Sequence, residues 1–170
     1  MDTFFEQIIS VKKTGKAVAA LIGIWLAAFV VCFLLFFTGF FGALTILLIA
    51  GVIYGAFKLS CLLNIEYEYI VTNGTMDIDK ITNKSSRKRV LSFELQTVSR
   101  IEKYNPALLN SVNTKEVFIA CNTNDENAYL MVSSTEGKDT NYLVFAPDER
   151  LRGAIVKFVP KFVSNSAFKD

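Results

Sequence analysis

Between Ala17 and Phe57 the chain carries no Asp, Glu, Lys or Arg, an unbroken run of 41 residues. A helix rises ~1.5 Å per residue, so one helix of that length would reach ~60 Å, twice the ~30 Å hydrocarbon core of a bilayer. A single crossing cannot use that length, whereas two crossings can. Thr38-Gly39 and Gly42 supply turn residues near the middle of the run. The run therefore reads as a transmembrane hairpin, with helices at about 17–37 and 41–63 and Lys58 placed to snorkel to the head groups. A cleaved signal peptide needs a shorter apolar stretch of ~7–15 residues before small residues. The stretch Ala17–Phe37 is too long for that, and the one candidate site, Phe41-Gly42-Ala43, opens with a bulky ring.

Charge sets the expected orientation. Lys12, Lys13 and Lys16 precede the run, Lys58 lies at its far end, and the turn is uncharged. The positive-inside rule then places both termini in the cytoplasm of a multi-pass protein of the cell membrane. The net charge of +2 lies wholly in residues 1–63, because residues 64–170 hold 14 basic and 14 acidic side chains. That balance gives no reason to expect nucleic acid as a partner. Cys32, Cys61 and Cys121 show no ligand spacing and read as free thiols of a reducing compartment. There is no histidine, which removes the commonest general base and the commonest metal ligand. No catalysis, cofactor or metal is expected.

Three segments follow along the chain. In residues 1–16, Phe4, Phe5, Ile8 and Ile9 recur at helical spacing, so this segment is expected to be an amphipathic helix lying in the interface. Residues 17–63 are the hairpin. In residues 64–170 the period changes to two: Ile65, Tyr67, Tyr69 and Val71 alternate with Glu66, Glu68, Ile70 and Thr72. Asn73-Gly74 is a strong hairpin signal, with a partner strand at about 75–81. Further strands are expected at about 87–95, 97–104, 115–122, 128–134 and 141–146. Pro147, Asp148 and Glu149 then open a helix whose stripe is Leu151, Ala154, Ile155, Phe158 and Phe162, with Pro160 kinking or ending it and a loose tail after Val163.

Seven strands capped by a C-terminal helix resemble the pleckstrin-homology-like (PH-like) fold. A membrane hairpin leading into such a domain resembles the bacterial PH-like membrane proteins. The opening Met1-Asp-Thr-Phe-Phe-Glu-Gln-Ile-Ile and the stretch Tyr67-Glu-Tyr-Ile-Val-Thr-Asn-Gly are similar to a small bacterial family of unknown function. The resemblance implies an α+β chain, with an N-terminal transmembrane hairpin followed by a seven-stranded antiparallel barrel or sandwich. It brings no catalytic residues with it. Phosphoinositide-binding relatives place basic residues around a long first hairpin loop, whereas here that loop is the two-residue Asn73-Gly74 turn. The head-group pocket therefore does not transfer.

Three constellations stand out. Lys84, Arg87, Lys88 and Arg89 form a basic cluster suited to an anionic leaflet, or else a solvated strand edge. Asp77 and Asp79 share one strand face without the glycine and distal Glu of a calcium loop. Gly23 and Ala27 in the first helix and Gly51 and Gly55 in the second are spaced for close backbone approach, and are expected to form the seam of the hairpin. The sequence thus reads as a membrane-anchored, cytoplasm-facing interaction module that binds protein or leaflet surface. The alternative is a structural or accessory subunit that assembles through its transmembrane helices with a protein partner.

Overall fold

The computed structural model describes residues 3–39, 42–109, 117–134 and 140–168. Strand β1 (Phe4–Ser10) comes first, then helices α1 (Gly15–Thr38) and α2 (Leu44–Cys61). The strands β2 (Ile65–Thr72), β3 (Thr75–Thr82), β4 (Ser86–Glu94), β5 (Val98–Lys103), β6 (Val117–Ile119), β7 (Tyr129–Ser133) and β8 (Asn141–Phe145) follow. Helices α3 (Glu149–Phe158) and α4 (Lys161–Ser164) close the described chain. The contacts divide into two compact units. One spans Met1–Val11, Glu66–Ile81 and Arg87–Asp170, and the other Lys12–Ile65 with Thr82–Ser86.

The expected amphipathic helix at the N-terminus is instead a strand. β1 pairs antiparallel with β2 in a seven-residue register from Phe4↔Thr72 to Ser10↔Glu66. Apolar residues at 4, 5, 8 and 9 satisfy a helical period, but they also fit a strand that buries one residue of each pair. Phe5 and Ile9 pack on the core, while Phe4 and Ile8 stay 60% and 50% exposed. Tertiary pairing decides, because β2 offers a ladder that a lone short helix cannot match.

The strands form two four-stranded sheets, ordered β1-β2-β3-β4 and β5-β7-β8-β6. The expected set of seven antiparallel strands is therefore corrected twice. The described residues contain eight strands, and β6 runs parallel to β8. The parallel pair arises because the chain after β6 crosses over to β7, which sits between β5 and β8. The core between the sheets holds Tyr69, Val71, Met76, Ile78, Tyr129, Met131, Leu143 and Phe145, and α3 adds Leu151 and Ile155. Tyr69 ties the sheets together. Its hydroxyl donates to the Ala120 carbonyl at 2.7 Å and accepts from the Ala146 N–H at 3.4 Å. Burial pushes this phenol well above its ordinary range, so it stays protonated and able to donate.

The turn between β2 and β3 is Asn73-Gly74, both left-handed. A Cβ at Gly74 would stand 3.2 Å from the Phe158 ring, so glycine meets both the backbone and the packing requirement. Asp148 caps α3 by accepting from the Leu151 N–H at 2.7 Å. After Pro160 the chain starts α4 in a new phase. Val163 is buried, whereas Phe162, expected on the apolar stripe, is 68% exposed. The expected loose tail is also corrected: Ala167 is buried, and the Phe168 ring meets Tyr129 edge-on at 5.0 Å.

In the second unit, α1 starts at the Thr14 cap and ends at the left-handed Gly39. The two helices meet along Ala28, Thr45 and Ala56, which are buried, flanked by half-buried Leu21, Ile24, Ile49 and Val52. The expected glycine seam is corrected. Gly23, Ala27 and Gly51 are exposed, Gly55 is half-buried, and an added Cβ at any of the three glycines meets no atom within 4 Å. A helical step turns the face by about 100°, so moving one residue to Ala28 selects a different stripe. That stripe carries the larger side chains and makes more dispersion contact.

Gln7 shows how firmly β1 belongs to the first unit. Its amide donates to the Ala146 carbonyl at 3.1 Å and accepts from the Asp148 N–H at 2.8 Å, which fastens β1 to the start of α3. Gln7→Ala leaves both backbone groups half-buried and unpaired. It is expected to destabilise the β unit by roughly 1–3 kcal/mol, read by thermal denaturation of the full chain in detergent. An unchanged melting temperature would show that the clasp carries no stability.

Candidate functional site

The basic cluster lies on and beside β4, and its members do not form one patch. Arg87 reaches across β3 to Glu68 on β2, with Nη1 to Oε2 at 2.8 Å. Arg89 bridges two carboxylates of β3, with Nη1 2.9 Å from Asp77 and Nε 2.9 Å from Asp79. Ser92 donates to Asp77 at 2.6 Å. Lys88, between the arginines, lies on the opposite side of the strand. Lys84 sits in the turn between β3 and β4, with a left-handed backbone. The two arginines are thus engaged by acidic neighbours. The Asp77–Asp79 pair serves as a seat for Arg89 rather than a cation site, and the hydrogen bond that Arg89 donates to Asp79 holds that guanidinium above its ordinary range.

The outer face of the first sheet is an ion ladder with a surplus of acid. Strand alternation puts Phe5, Ile9, Tyr67 and Tyr69 inward. Glu6, Ser10, Glu66 and Glu68 therefore face outward, with Asp77, Asp79, Arg87 and Arg89 alongside them. Ser10 donates to Glu66 at 3.0 Å. Five carboxyl groups stand against two guanidinium groups on this face.

Glu68 is the residue that sequence reasoning missed. It lies on the outer face, yet neighbouring side chains cover it fully, at 0% exposure. Its carboxyl is held above the ordinary carboxylate range, chiefly by burial. The proximity of Glu6 and Asp79 acts in the same direction, while Arg87 opposes them. The signal in the sequence was only its place in the alternating strand, since nothing local shows that Glu6 would arrive from 62 positions upstream.

Other features of the site are simpler. Cys121 is buried, which pushes its thiol up to about 12 and leaves it unreactive at neutral pH. The cysteines at 32, 61 and 121 are free. A cleft of about 250 Å³ between β1 and the start of α3 is lined by Phe4, Phe5, Glu6, Asp148, Arg150 and Leu151. Among the described residues no group of three or more His, Cys, Asp or Glu is placed to hold a metal ion.

The Glu68 arrangement has a defined pH signature. A carboxyl raised in the fold contributes stability that is complete below its unfolded value of 4.5 and is lost as pH rises through the folded value. Glu68→Gln keeps the shape and abolishes that loss. The melting temperature of E68Q relative to the native chain is expected to climb as pH increases above 4.5. A difference that stays constant with pH would refute the assignment.

The chain matches, over residues 1–165, the family described as Bacterial PH-like domain (DUF6106). No curated protein and no solved structure matches it. The match covers strand β1, both long helices, both sheets, α3 and α4. The chain belongs to the bacterial PH-like domain family.

Proposed function

We propose that this chain is a membrane-anchored interaction module, with a PH-like β unit held at the cytoplasmic face by a two-helix transmembrane hairpin and both termini cytoplasmic. The β unit binds protein or leaflet surface rather than turning over a substrate. PH-like domains are generally non-catalytic, and the chain has no histidine.

The pairing of β1 with β2 carries the topology. Backbone hydrogen bonds join residues before α1 to residues after α2, so both must lie on one side of any membrane the helices enter. The number of crossings is then even, and α1 and α2 supply two. Their most apolar windows have mean hydropathies of 2.8 and 1.9, and only 6% and 17% of those windows is buried. Helices so apolar and so exposed require a lipid environment to be stable. Removing α1 as a signal sequence would also remove β1 and the Gln7 clasp, so a permanent anchor is the consistent reading.

The exposed ladder of Ala19, Gly23 and Ala27 on α1 supports a second reading. It lies off the intramolecular seam and leaves a surface on which another membrane helix can approach closely. Gly23→Cys is expected to form disulfide-linked dimers in native membranes if two copies meet there. A purely monomeric product would remove self-assembly through this stripe.

Topology is tested on intact cells in a background whose own cysteines are replaced. Thr38→Cys is expected to react with an impermeant thiol reagent from outside. Thr123→Cys, in an exposed loop of the β unit, should react only after permeabilisation. The reverse pattern would overturn the orientation, and labelling of both positions from outside would overturn the anchor.

A further inference from the structure

The lysines of the hairpin unit gather at one end of it. Residues 12–65 and 82–86 contain Lys12, Lys13, Lys16, Lys58 and Lys84 and no acidic residue, a charge of +5. The remaining residues hold 13 basic and 16 acidic side chains, a charge of −3. Lys12 and Lys13 immediately precede α1, and Lys16 lies in its first turn. Lys58 lies in the last turn of α2, with Nζ 5.5 Å from the centre of the Tyr54 ring. The hairpin brings these two helix ends together.

Lys84 reaches the same end by a separate route. The Ser85 N–H bonds the Thr82 carbonyl at 3.2 Å and closes a tight turn. The two central residues, Asn83 and Lys84, have φ of 52° and 57°. The Asn83 N–H bonds the Asn64 carbonyl at 2.9 Å, just beyond the end of α2. The turn is therefore fastened to the point where the chain leaves the second helix. The neighbouring Asn73-Gly74 turn has the same left-handed pair, but with glycine at its second position. A Cβ-bearing residue is disfavoured there, and only Gly, Asn and Asp adopt this geometry readily. The lysine thus occupies a position that backbone energetics would give to glycine, on a turn pinned at the foot of the helices.

We propose that these lysines form a collar that binds the phosphodiester groups of acidic phospholipids around the hairpin. The inference rests on the reading that α1 and α2 cross a bilayer. It moves the lipid contact from Arg87 and Arg89, which are engaged by carboxylates, to the lysines at the open end of the hairpin. Near an anionic surface each lysine is worth about a fivefold gain in affinity.

The single tryptophan provides the readout. Trp25 lies on α1 and is 44% exposed. Lipids with dibrominated acyl chains quench a tryptophan they touch. The full chain is reconstituted in phosphatidylcholine, and brominated phosphatidylglycerol and brominated phosphatidylcholine are compared as quenchers. The expected result is a several-fold preference for phosphatidylglycerol at low salt, which collapses at about 1 M salt, where the Debye length is ~3 Å. Lys84→Gly is expected to lower the preference by up to about fivefold while the melting temperature holds or rises, because glycine relieves the left-handed turn. Lys161→Gln, on α4, should leave the preference unchanged. Equal quenching by both lipids, a full preference in K84G, or an equal loss in K161Q would each overturn the collar while leaving the anchor intact. Failure of both lipids to quench Trp25 would overturn the anchor, and the collar with it.

Discussion

The pairing of β1 with β2 is the constraint on which the rest of the molecule depends. Seven residues that precede the apolar helices pair with seven that follow them. The β unit is therefore discontinuous in sequence, with the hairpin inserted between two adjacent strands. Removing β1 would do more than shorten a sheet. It would bare the edge of β2, leave Ala146 and Asp148 without Gln7, and uncover the Glu68 carboxyl. A β unit cut to begin at residue 64 lacks all three of those supports, whereas joining Val11 directly to Ile65 through a short turn would keep them.

The same pairing shapes the charged face. β1 brings Glu6 beside Glu68, and β4 brings Arg87 to Glu68. Arg89 is seated between two aspartates of β3. Arginine suits these places because its planar fork can serve two carboxylates at once. Those contacts keep the arginines on the sheet and give its outer face an excess of acid. Lys84 and the lysines of the hairpin, which hold no such fork, lie instead at the turn and the helix ends.

Most of the fold was legible in the sequence because its signals are local. The charge-free run, the alternation from Ile65 and the Asn73-Gly74 turn each specify an element from neighbouring residues alone. The seven strands expected after residue 64 correspond to β2 to β8, and Asp148 caps α3 where the Pro-Asp-Glu start indicated. What was not legible depends on distant partners. Phe4, Phe5, Ile8 and Ile9 fit a helix or a strand equally well until β2 is known. Spacing alone could not say which helical stripe meets the other, because Ala27 and Ala28 are both small and only the bulkier residues in line with Ala28 settle it. The cluster at 84–89 read as free positive charge, because Glu68, Asp77 and Asp79 reveal themselves as partners only once β4 lies beside β3.

An inserted hairpin also sets an order of events. β1 leaves the ribosome first and waits for β2, which is made only after both helices. For a flexible chain, closing a loop of that length costs roughly 3–4 kcal/mol more than joining adjacent residues. In the proposed anchor, helices that had crossed and returned would deliver Ser10 and Glu66 to neighbouring points on one surface, so the bilayer would close the loop before the strands meet. A chain whose second helix fails to cross back would leave β1 and β2 on opposite sides, with Phe5, Ile9 and the edge of β2 uncovered. On that proposal, completion of the first sheet would report that insertion succeeded, and a misinserted copy would show itself as an unfolded one.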